Sequence, residues 1–241
     1  MKKIVILILL VLTTKGYSQF AKSMFSKDPI INLENWQKQR LYFGYYLGFN
    51  SFDFKFDYKT PVQEDIQVKK TTGFNVGVVA DLRLQEYINL RFEPGLYYTK
   101  RDLYYPHDAG TPQSFYLREV NSTYIHFPLL LKFSSLRTGN IRPYVVGGMS
   151  TTLNLSSNSK SLDDNHEGKF RVKTWTAAYE LGFGIDFFSE YFIFSPSIRG
   201  MFGITDELIR DNKTLENPNS PWTDNIDSMK SRAILINLTF H

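Results

Sequence analysis

Eight segments of this chain alternate apolar and polar side chains with a period of two, and that alternation restricts what the chain can become. Successive side chains of a strand point to opposite faces, so each segment reads as a strand with one apolar and one polar or small face. In 41–50 the odd positions are Leu41, Phe43, Tyr45, Leu47 and Phe49, opposed to Tyr42, Gly44, Tyr46, Gly48 and Asn50. The same pattern returns in 73–83, 88–100, 123–133, 141–153 (the weakest), 174–187, 191–203 and 231–241.

The connections alternate as well. Short links span 84–87, 134–140 and 188–190, whereas 51–72, 101–122, 154–173 and 204–230 are long and polar. Short turns on one side and long loops on the other describe an all-β fold: an eight-stranded up-and-down antiparallel transmembrane β-barrel with short periplasmic turns and long extracellular loops. No stretch beyond the leader offers the roughly 18 uninterrupted apolar residues of a membrane helix. The alternative is a soluble, lipocalin-like barrel with its apolar face turned inward around a ligand.

The polar face favours the membrane reading. It carries Asp81, Arg83, Arg91, Glu93, Lys132, Glu180, Asp186 and Arg199, interleaved with glycines. Opposed charges and small residues suit the narrow lumen of eight strands, where side chains fill the interior. They are expected to pair into a hydrogen-bonded plug rather than an ion path, because an unpaired charge away from water costs several kcal/mol. The bulky aromatic face suits lipid.

The amino terminus predicts export. Lys2 and Lys3 precede the apolar run 4–13, and Gly16 and Ser18 offer small residues for cleavage before Gln19. The expected organisation is a signal peptide (1–18), a periplasmic segment (19–40) and an outer-membrane barrel (41–241). Removing 1–18 deletes Lys2, Lys3 and Lys15 and leaves 25 basic residues against 24 acidic ones, a charge of +1. That balance gives no electrostatic footprint for nucleic acid. The absence of cysteine excludes disulfides, thiolate metal sites and a Cys nucleophile.

Few residues invite chemistry. His126 falls on the inward face, where a histidine beside a hydroxyl and an acid would serve a lipid-modifying enzyme, but no short Ser/His/acid motif accompanies it. His166 beside Asp163 and Asp164 reads as a solvated loop, since two adjacent carboxylates and one imidazole do not enclose an ion. Tyr58, Tyr104, Tyr105, Phe115, Tyr116 and Trp222 lie in the long loops, as interface anchors or rim aromatics. Of these Tyr104, Tyr105 and Trp222 are candidate partner contacts, together with Trp36 of the amino-terminal arm, which either plugs the periplasmic mouth or docks on a partner. Thr205 is expected to cap a helical turn over 206–211. Asp227, Ser228 and Met229 form a short acidic-hydroxyl-apolar pattern of the kind used for bacterial O-glycosylation.

The run from Asn32-Leu33 through Leu41-Tyr42-Phe43-Gly44-Tyr45-Tyr46-Leu47-Gly48-Phe49-Asn50 resembles the opening of the PorT (SprT) proteins of type IX secretion. Phe92-Glu93-Pro94-Gly95-Leu96, Phe127-Pro128-Leu129-Leu130-Leu131-Lys132 and Arg142-Pro143-Tyr144-Val145-Val146-Gly147-Gly148 look like motifs of a broader group of outer-membrane barrels. The tail, Asp224-Asn225-Ile226-Asp227-Ser228-Met229-Lys230-Ser231-Arg232 leading into Ile236-Asn237-Leu238-Thr239-Phe240, is similar to the PorT branch.

This resemblance implies a non-enzymatic outer-membrane component needed to export cargo with carboxy-terminal signals, gliding adhesins among it. It assigns no catalytic residue, cofactor or metal. Its implied partners are outer-membrane lipid, other type IX components and, during biogenesis, the barrel-assembly machinery. His241 departs from the pattern, since barrel-assembly signals commonly end on the aromatic residue that Phe240 supplies here. The other reading is a general surface barrel for adhesion or envelope integrity.

Overall fold

The computed structural model describes residues 31–35, 39–107, 110–213 and 219–241. The expected signal peptide, most of the arm and Trp36 lie outside the described residues.

Ten strands form among them: β1 (Leu41–Tyr58), β2 (Gln67–Lys70), β3 (Thr72–Arg83), β4 (Ile88–Phe92), β5 (Gly95–Tyr104), β6 (Leu117–Ser134), β7 (Ile141–Asn154), β8 (Trp175–Phe188), β9 (Ile193–Gly203) and β10 (Ile226–Phe240). A short helix, α1 (Gln113–Tyr116), precedes β6. The pairing is antiparallel throughout, and β1 closes the ring by joining β10 on one side and β3 on the other.

The ten strands make eight staves. β4 and β5 are one stave interrupted at Glu93–Pro94, because Pro94 has no N–H for the ladder. Their register is continuous across the break: Phe92 faces Leu129 of β6 and Gly95 faces His126. β2 and β3 are likewise one stave, but the register slips there. Lys70 faces Arg101 and Phe74 faces Tyr98, which leaves Thr71 and Thr72 together opposite Lys100. This is a β-bulge, and it bends β2 relative to β3.

Several staves run past the bilayer. A membrane strand needs about 9–11 residues, whereas β1 and β6 each have 18 and β10 has 15. The sequence predicts loops at 51–72, 101–122 and 204–230; much of the first two, and the last five residues of the third, are strand that continues the wall outward, because backbone groups pair more fully in a ladder than in a loop.

The outer wall is apolar around the lower half. Phe43, Val78, Leu129, Phe183 and Ile234 are each at least half exposed, while their neighbours in sequence turn inward. Such a surface is stable only against lipid. No helix among the described residues is long and apolar enough to cross a membrane; the strands make the crossing.

Candidate functional site

Inward-facing residues of the lower half build a charge network whose signs balance. Arg91, Lys132, Arg142 and Arg199 meet Asp81, Glu93, Glu180 and Asp186, and all eight are buried. Arg91 reaches Asp81 at 2.9 Å and Glu93 at 3.2 Å. Arg199 then links Glu93 at 2.7 Å to Glu180 at 3.4 Å. Lys132 donates to both oxygens of Asp186, which also accepts from Arg142 at 2.9 Å and from Ser195 at 2.7 Å. Every carboxylate has at least one cation, as the cost of burying charge requires.

Arg83 does not join. It is the last residue of β3, so its side chain lies at the rim and its Nε donates to the Gln85 carbonyl. Arg142 does join: it stands on the polar face of the weakly alternating segment 141–153, though it is not among the lumen charges expected from the sequence. At the periplasmic end His241 turns inward beside Arg91, with Nη2 to Nε2 at 3.1 Å. A guanidinium has no acceptor, so the imidazole nitrogen accepts.

His126 holds an acid and a hydroxyl: Nε2 meets Glu180 Oε1 at 2.6 Å and Nδ1 meets Thr152 Oγ1 at 2.9 Å. The order is that of an activated nucleophile. Yet the cavity beside Thr152 measures about 10 Å³, at most one water. The geometry suits a lumen brace.

Above the charges sits an aromatic layer that includes Tyr46, Phe52, Tyr97 and Tyr124. Tyr46 fits because its neighbours lack side chains: a Cβ on Gly95 would stand 2.0 Å from the Tyr46 hydroxyl. Higher still, Arg101 is fully buried, stacks 3.9 Å from the Phe54 ring and reaches Ser231 and Ser122 at 3.2 Å. Glu207 accepts from the Ser231 backbone at 3.1 Å and its hydroxyl at 2.9 Å. Burial raises the Glu207 carboxyl pKa, with Arg101 opposing the shift. Charge balance, aromatic filling and the narrow bore together seal the barrel with its own side chains.

The extracellular end is capped by an apolar core shared by strand ends and loops, which includes Phe54, Leu103, Phe170, Val172, Leu208 and Met229. Leu208 explains why 206–211 is not the predicted helical turn. The segment is extended, bridging Val172, and its backbone bonds to Lys173 and Met229 instead of to itself. The Thr205 hydroxyl accepts from the Ala177 backbone. Ser228 donates to Asp57 at 2.9 Å, and Met229 is fully buried within β10.

Beside this core opens a cavity of about 430 Å³. Of the loop aromatics, Tyr58, Tyr105, Phe115, Tyr116 and Trp222 all line it. Tyr104 does not; it lies against Tyr116 with ring centroids 6.4 Å apart. His107 stacks on Tyr116 at 3.7 Å, and the Trp222 indole donates to the Phe115 carbonyl at 3.0 Å. His166 packs edge-on against Trp222 instead of joining Asp163, which pairs with Lys169.

At the other end the arm touches the rim. The Asn32 backbone N–H donates to Asn140 Oδ1 at 3.0 Å, and its side chain donates to the Phe188 carbonyl at 3.2 Å. Arg137 completes the clasp, donating to the Asn32 carbonyl at 2.6 Å over the Phe188 ring at 3.9 Å.

Among solved structures the chain is similar to OprG of Pseudomonas aeruginosa, at 14% identity over 83% of this chain and 94% of that one, with a TM-score of 0.45. It is also similar to Neisserial surface protein A, at 10% identity over 83% and 98% of the two chains with a TM-score of 0.40. Ail of Yersinia pestis, solved with the heparin analogue sucrose octasulfate, gives 10% identity over 84% and 98%, with a TM-score of 0.37. No curated protein matches the chain. Residues 21–208 match the family model described as an outer membrane protein beta-barrel domain. The chain belongs to that outer-membrane β-barrel family, and the outer membrane is where it resides.

Proposed function

We propose that this protein is a non-enzymatic barrel that serves type IX secretion as an assembly or accessory component, acting through its surfaces. The observation that carries this reading is the sealed, charge-balanced lumen, which favours contact over conduction. An eight-stave lumen cannot pass a folded protein, so the translocating channel is a separate molecule. The assignment to type IX rests on the resemblance of 32–33, 41–50 and 224–240 to PorT proteins. Surfaces available for contact are the lipid-facing wall, the loop aromatics and the arm held at the periplasmic rim.

In a strain lacking the gene, cargo with carboxy-terminal signals is assayed in medium, cell surface and periplasm. Periplasmic accumulation, reversed by the wild-type gene, supports the reading. Normal export refutes it. The aromatic cavity at the extracellular end favours a second reading, a surface barrel for adhesion or envelope integrity. Under that reading export stays normal while replacement of the extracellular loops removes the phenotype.

A further inference from the structure

The barrel wall splits at its extracellular end. β1 pairs with the neighbouring stave only as far as Ser51 opposite Thr72. Beyond that point β1 pairs with β10 alone and β2 with β5 alone. The bulge at Thr71 separates the two strands, and the gap between them is a cleft of about 350 Å³ lined by both.

The hydrogen-bonding phase shows which backbone groups face this cleft. Phe54 and Phe56 stand opposite Ser231 and Met229, whose N–H groups go to Glu207 and Asp206 instead of to β1. The N–H groups of Phe54 and Phe56 therefore point into the cleft. The first is capped by the Asp53 carboxylate at 2.9 Å; the second has no partner among the described residues. On the other side the Thr71 N–H goes to β5, so that of Val68, three residues earlier, faces the cleft.

Side chains bridge the gap at both ends. Lys70 reaches Asp53 at 3.0 Å, and the Ile66 N–H donates to the Tyr58 hydroxyl at 3.0 Å. Two unpaired edges facing each other are a template for an added strand. Phe56 and Val68 pack inward on the extracellular core, offering an apolar floor. The rim is basic by one charge, with Lys55, Lys70 and Arg232 against Asp53 and Asp65. Edge lysines deter indiscriminate pairing and favour an acidic strand.

We infer that this cleft is a strand-addition site for an extended segment of a partner protein, with apolar side chains inward and acidic ones outward. The site is independent of the type IX assignment and stands or falls separately.

The test uses the full chain in lipid nanodiscs and a fluorescent peptide of about eight residues alternating valine and glutamate. Fluorescence anisotropy is expected to show saturable binding. Replacing glutamate by lysine, or methylating alternate backbone nitrogens, is expected to weaken it at least about tenfold. The chain has no cysteine, so Lys55→Cys with Gln67→Cys permits one bismaleimide bridge across the cleft. The unbridged double variant controls for folding and for the lost Lys55 charge and is expected to bind, more weakly than the wild type; the bridged form is expected to lose the binding that the unbridged form keeps. Absence of binding, or binding indifferent to N-methylation or to the bridge, overturns the proposal. Self-association abolished by the bridge, without peptide binding, assigns the cleft to a second copy and overturns it too.

Discussion

Lys132 on β6 and Asp186 on β8 meet across the lumen, with the ammonium 2.8 and 2.7 Å from the two carboxylate oxygens. β7 lies between their strands in the wall. The pair therefore ties together staves that share no ladder, and Arg142 of that middle strand closes the triangle on the same carboxylate at 2.9 Å.

Lys132→Met removes one corner and leaves Asp186 with a single arginine and Ser195. The expected loss is ~3 kcal/mol, because the remaining buried charge is under-compensated. Urea unfolding of the refolded barrel measures it, and a double-mutant cycle with Asp186→Asn should give a coupling well above the ~0.5 kcal/mol of additive sites. Additivity would mean the pair does not brace the lumen.

Gly95→Ala tests the aromatic layer. Its new methyl would collide with the Tyr46 hydroxyl, and overpacking of this kind costs about 1–3 kcal/mol. Tyr46→Phe in the same chain removes the colliding oxygen and is expected to recover part of the loss. Equal stability of the single and double variants would show that the ring moves aside.

Glu207 makes the extracellular core sensitive to pH. Its folded pKa is raised by burial, so the protonated form is the one the fold prefers. That contribution is fully present below the unfolded glutamate pKa and is lost as pH rises through the folded value. Hydrogen exchange at Ser231 and its neighbours should therefore slow as pH is lowered through the glutamate range, after correction for intrinsic rates. Glu207→Gln should protect the region at neutral pH and flatten the dependence. An unchanged profile would contradict the assignment.

The periplasmic clasp is separable from the barrel. Arg137→Ala removes the donor to Asn32 and the cation over Phe188. Limited proteolysis is expected to cut near 31–35 faster, while the heat-modifiable gel shift of the folded barrel persists. Unchanged cleavage would mean the arm is held by other contacts.

Much of this architecture was legible in the strict alternation of segments such as 73–83 and 174–187, because a period of two assigns each residue to a face. What remained hidden depends on neighbours distant in sequence. Arg101 reads as a loop cation, yet Ser122, Ser231 and three aromatic rings enclose it once β5 extends beyond the membrane. Thr71 looks like an ordinary loop residue, and only its pairing against Lys100 reveals a bulge. Tyr105 and Trp222 were visible as loop aromatics, but their convergence on one cavity needed the fold of three connections.

The most direct test of a barrel closed by its own side chains is electrical. The full chain is reconstituted in a planar bilayer and current is recorded under applied voltage. A lumen filled by the Arg91, Lys132 and Arg199 networks, with the Tyr46 and Phe54 layers above, is expected to give no stepwise conductance over the lipid baseline. Regular, reproducible steps that persist at low voltage would contradict a sealed lumen, and with it the view that this protein works through its surfaces.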